Sequence, residues 1–74
     1  MKITGFPPEM MTPAAVAKIQ LAFAGNGMSA FWSESKELVV MAEHADMSLE
    51  QVMRAKSSKD GFPWVLREIL SRVE

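Results

Sequence analysis

A chain of 74 residues holds one small domain, 1–74, and a domain of that size buries only about 60% of the surface its unfolded chain exposes. Hydrophobic residues at 49% and charged residues at 23% are globular proportions and give no indication of a disordered chain. Eight Lys and Arg against nine Asp and Glu give a net charge of −1, which excludes a general attraction to nucleic acid or to an anionic membrane. The absence of cysteine excludes disulfides, thiol chemistry and thiolate metal sites. Residues 1–8 lack the apolar run of a signal peptide, and no stretch approaches the ~20 apolar residues of a membrane span. The expectation is a soluble cytoplasmic protein.

Lys2-Ile3-Thr4-Gly5-Phe6 reads as a short edge strand that stops before Pro7-Pro8, since proline removes the donor a strand or helix needs. Thr12-Pro13 starts a helix, with Thr12 as cap and Pro13 at the first helical position. That helix runs from Ala14 to Ala24, and Gly25-Asn26-Gly27 ends it. Met28–Trp32 and Leu38–Ala42 are apolar runs around a polar break at Ser33–Glu37, the pattern of a β-hairpin. The same stretch also reads as a helix over Glu37–His44, because Leu38, Met41 and Ala45 fall at i, i+3 and i+7.

Ser48-Leu49-Glu50-Gln51 has the form of a capping box, and a short helix follows with Leu49, Val52 and Met53 on one face. Ser57–Gly61 reads as a loop. Phe62, Val65, Leu66, Ile69, Leu70 and Val73 then trace one face of a final helix from about Phe62 to Val73. The order β-α-β-β-α-α predicts an α+β fold, a small antiparallel sheet with helices packed on it. The alternative, with Glu37–His44 helical, is an all-α helix-turn-helix.

Catalytic chemistry finds no support. His44 is the only histidine, with no cysteine to pair with, and it reads as a loop or strand-end side chain. The acids are scattered without repeated ligand spacing, and no glycine-rich loop follows a strand and opens a helix. No enzyme, cofactor or metal is expected.

Binding signals are stronger. In the first helix Val16, Ile19 and Phe23 form one apolar stripe, and Ala14, Ala17, Leu21 and Ala24 form a second on nearly the opposite side. Trp64 lies roughly 160° from the centre of the last helix's apolar stripe, beside Arg67, and Trp and Arg are favoured at binding hot spots. Phe31 and Trp32 are adjacent, so a strand sends them to opposite faces. Val39/Met41 and Leu38/Val40 likewise place apolar groups on both faces of the hairpin. Of the seven methionines, Met41 and Met53 are expected to fill the core.

Met41–Arg54 resembles the helix-turn-helix of phage-repressor-like proteins: Ala42 in a first helix, a three-residue turn, and Ser48 capping a second. The resemblance covers about 14 residues. It implies DNA binding, with Gln51 and Arg54 at base edges and Lys56 and Lys59 on the backbone. Asp46 stands where that family usually has glycine, and Glu50 is acidic where the helix would face phosphates.

The preferred reading is a protein–protein interaction module, a small regulator, accessory subunit or inhibitor that masks a surface on a larger partner. Chains of this size and character recur among phage and mobile-element accessory products. The expected contacts are Trp64, Arg67, Leu21 and one of Phe31 or Trp32, with self-association through the first helix or the hairpin edge as a further expectation.

Overall fold

Alternation along the three-residue strands sorts their side chains toward the core or toward the surface. The computed structural model describes residues 1–73. It has strands β1 (Lys2–Thr4), β2 (Ala30–Trp32), β3 (Leu38–Val40) and β4 (Met47–Ser48), and helices α1 (Pro13–Gly25), α2 (Leu49–Met53) and α3 (Phe62–Ser71). Single 3₁₀ turns occupy Pro8–Met10 and Ser58–Asp60. The class is α+β, as the residue pattern predicts. No helix among the described residues is long and apolar enough to cross a membrane.

The sheet order is β2-β3-β1-β4. β3 is antiparallel to both β2 and β1, whereas β4 runs parallel to β1. The sheet is therefore mixed rather than purely antiparallel, and β1 is an interior strand rather than an edge. The amino group of Met1 donates to the carbonyls of Val40 and Ala42, and the Lys2 N–H donates to Asp46 Oδ1. These bonds tie the start of β1 to the connection between β3 and β4.

All three helices lie on one face of the sheet. Ile3, Leu38 and Val40 point into that layer and are fully buried with Ile19 and Phe23 of α1, Val52 of α2 and Leu66 of α3. The first helix uses Ile19 and Phe23 of its predicted stripe for this, with Val16 half-buried, and the last uses Leu66, Ile69 and Leu70. Val65 is exposed despite its place in the predicted stripe. Met41 and Met53, expected in the core, are both exposed. Met41 follows β3 on the parity of Val39, away from the helices, and Met53 ends the single short α2.

The caps are those the residues predict. Thr12 accepts from the Ala15 N–H, and Ser48 and Gln51 form a reciprocal capping box. The loop before α3 carries a second box, from Ser57 and Asp60 around the 3₁₀ turn. Asp60 accepts from the N–H groups of Lys56 at 2.6 Å and Ser57 at 3.1 Å. Gly61 then enters α3 at φ 77°, a backbone conformation that side chains resist.

The helix-turn-helix alternative fails on backbone conformation. Leu38–Val40 is a strand in the middle of the sheet, Met41–Asp46 is a loop, and the helix after Ser48 has only five residues. Paired β-branched residues beside Leu38 favour the pleated form, and hydrogen bonding to both neighbouring strands decides it. The capping box that carried the resemblance is real, but it opens a helix that packs on the core.

The hairpin between β2 and β3 closes through a turn at Ser33–Lys36. The Lys36 N–H donates to the Ser33 carbonyl, and Ser33 N–H to the Glu37 carbonyl. Lys36 is left-handed at φ 63°, the only described non-glycine residue with positive φ. Lys36→Gly relieves about 1–2 kcal/mol of left-handed strain against about 0.5–1 kcal/mol of added unfolded-state entropy. A net gain of about 0.5–1 kcal/mol is expected, seen as a rise in Tm of about 2–8 °C.

Asp60 supplies a pH prediction. The Lys56 and Ser57 N–H groups hold its carboxyl below the ordinary aspartate pKa. A depressed acid stabilises the fold above its unfolded-state pKa, and that contribution is lost as pH falls through the lower folded-state value. Stability should therefore drop on acidification below the ordinary carboxylate range. Asp60→Asn should flatten that limb of the urea midpoint plotted against pH.

Candidate interaction surface

One layer of helices leaves the other face of the sheet open. Across it, Phe31 of β2 lies opposite Val39 of β3, and Val39 lies opposite Lys2 of β1. Met41 continues the Val39 parity, with its N–H bonded to the Ser29 carbonyl. Phe31 is 49% and Met41 68% exposed, while Val39 between them is half-buried. Met1, Val39, Val40, Met41, Ala42 and Glu43 line a shallow depression of about 390 Å³ at this end of the sheet. Lys2 and Thr4 on β1 and Glu37 at the turn give the apolar strip a polar border.

Trp32 turns the other way, as adjacency with Phe31 requires. Its Nε1 donates to the Val16 carbonyl of α1 at 3.0 Å, and the Phe6 ring meets it edge-on with centroids 5.0 Å apart. This residue clamps α1 and the Phe6-Pro7 segment to β2. Of the two adjacent aromatics, the open face displays Phe31.

The Trp64–Arg67 pair is also committed to the fold. The Arg67 guanidinium lies 5.5 Å from the centre of the Trp64 ring, and one of its nitrogens donates to the Ala55 carbonyl at 2.6 Å. Trp64 is half-buried, and Arg67 staples α3 to the end of α2. Leu21 is the most exposed large apolar side chain, at 69%. It lies on the side of α1 away from the sheet, beside a shallow depression of about 420 Å³ lined with Lys18, Ala22, Arg72 and Val73. The structure thus sets Leu21 and Phe31 on opposite sides of the molecule.

The residues assigned to DNA contact are otherwise engaged or dispersed. Gln51 closes the capping box, Arg54 pairs with Glu50 one turn earlier, and Lys56 and Lys59 sit in the loop held by Asp60. His44 lies in the loop before β4, with Nδ1 in hydrogen-bond contact with the Ala45 carbonyl and its ring tilted against Phe62. Among the described residues no three potential metal ligands come together.

Met41, expected in the core, lies on the surface beside the half-buried Val39. The signal was present in the period-two alternation of Leu38–Met41, but assigning the inward parity needed the position of the helices.

Trp32→Phe should cost about 0.5–1.5 kcal/mol for the lost hydrogen bond, and Trp32→Ala about 3–5 kcal/mol, both read from urea unfolding. No protein-family model, characterised protein or solved structure matches this chain, and its functional reading rests on the surface itself.

Proposed function

We propose that this protein is a non-catalytic interaction module that masks a surface of a larger protein, in the manner of a small regulator, accessory subunit or inhibitor. The observation that carries this reading is the apolar strip Phe31–Val39–Met41 on a sheet face that no helix covers. An apolar centre with a polar border is the usual anatomy of a protein interface. Phe31 and Met41 serve as the anchors, and methionine adapts to an irregular partner surface. The Leu21 side of α1 is the weaker candidate, a lone large side chain among alanines.

Met41 is mostly exposed, so Met41→Glu should change stability by no more than about 0.5 kcal/mol. The same substitution places a charge in the middle of the strip and should weaken partner binding roughly tenfold or more. The measurement compares wild type, Met41→Glu and Leu21→Glu as immobilised baits, with the retained partner then titrated by calorimetry. Undiminished binding by Met41→Glu together with loss in Leu21→Glu would move the site to α1 and overturn this assignment.

A further inference from the structure

The two edges of the sheet are unequal. β4 has two residues, is preceded by Asp46 and runs directly into α2, which leaves little strand for another chain to pair with. β2 has no such protection. No charged residue occurs from Ile19 to Ser33, and β2 contains no proline or bulge, the devices that normally blunt an edge.

The register shows which groups the edge presents. Bonds from Met41 N–H to Ser29 and from Ser33 N–H to Glu37 mark 29:41 and 33:37 as hydrogen-bonded pairs, so Phe31 and Val39 form the pair between them. The N–H and C=O groups of Ala30 and Trp32 therefore point away from β3, out of the sheet's edge. Those four groups have a symmetric arrangement about Phe31.

We propose that a second copy of the chain pairs with β2, antiparallel about a two-fold axis through Phe31. Ala30 of each copy exchanges both backbone bonds with Trp32 of the other, four hydrogen bonds in all. Phe31 meets its own symmetry mate as the closer, non-hydrogen-bonded pair, on the open face of both sheets. The result is one continuous eight-stranded sheet whose two apolar strips join end to end.

Charge placement selects this occupant and this direction. Antiparallel pairing separates the two Glu34-Ser35-Lys36 turns to opposite ends of the shared ladder. It directs Glu34 of each copy toward the other copy's Gly25–Gly27 turn, where Arg72 is hydrogen-bonded to Asn26. A net charge of −1 per chain adds little repulsion between copies. The edge is short, so the dimer belongs to the weak class of interface.

This inference shares Phe31 with the partner reading but rests on the backbone groups of Ala30 and Trp32 at the β2 edge, so Met41→Glu, which leaves that edge intact, separates the two. The test is sedimentation velocity of the full chain over a concentration series up to about 1 mM. Wild type should show a reversible shift toward twice its 8.2 kDa mass, and Met41→Glu should shift in the same way. Ala30→Pro deletes only an outward N–H, twice per dimer, and should weaken association roughly 10- to 100-fold with an unchanged circular dichroism spectrum. Should Ala30→Pro fail to fold, Phe31→Lys and Phe31→Glu decide the matter. Each alone should be monomeric, and their equimolar mixture should form a one-to-one dimer. A wild type that stays monomeric throughout would leave this edge to an extended segment of another protein, and a dimer that survives both Phe31 variants would lie elsewhere. Either result overturns the proposal.

Discussion

The rest of the structure depends on one constraint: three short helices can cover only one face of a four-stranded sheet. The pleat sends successive residues to opposite faces, so choosing the covered face assigns every strand side chain at once. Ile3, Leu38, Val40 and Trp32 go inward with the helices, and Phe31, Val39 and Met41 go outward. A one-residue slip of β3 would exchange Leu38 and Val40 for Val39 and Met41. Both sets are apolar, so hydrophobicity alone only weakly opposes that slip. The register is held instead by the Ser33–Lys36 turn at one end of the strand and the bonds from Met1 to Val40 and Ala42 at the other.

Polar side chains in this domain mostly serve the backbone. Asp46 accepts from Lys2, Asp60 from Lys56 and Ser57, Ser33 from Glu37, and Arg67 donates to Ala55. Each satisfies a main-chain group in a connection or at the start of a strand. A chain of this size has little apolar surface to bury, so well-satisfied loops carry more weight than they would in a larger protein. The same economy explains Trp64 and Arg67. Their pairing resembles a binding hot spot when read along the helix, but the guanidinium is occupied by Ala55 and the ring is shielded by the guanidinium.

Local signals were legible and non-local ones were not. Thr12-Pro13, the Ser48–Gln51 box and the 3-4 spacing of α3 depend on neighbours within a turn, and all three stand in the structure. β4 was invisible, because two residues carry no periodicity and its only partner is β1, more than forty residues earlier. The resemblance to a helix-turn-helix arose from the same gap. Ser48 and Gln51 do begin a helix, and nothing nearby in the chain reveals that Leu38–Val40 is claimed by strands on both sides. Phe31 and Trp32 were correctly opposed by alternation, yet which of them faced outward turned on the contact between Trp32 and Val16.

That contact also links the core to the surface. By drawing the indole under α1, Trp32 fixes the orientation of β2, and the orientation of β2 holds Phe31 on the open face. The same alternation turns the backbone groups of Ala30 and Trp32 out of the sheet's edge. The apolar strip and the unpaired edge are thus two consequences of one packing choice. A part-buried hydrogen bond between an aromatic side chain and a helix carbonyl sets what this small domain presents to other molecules.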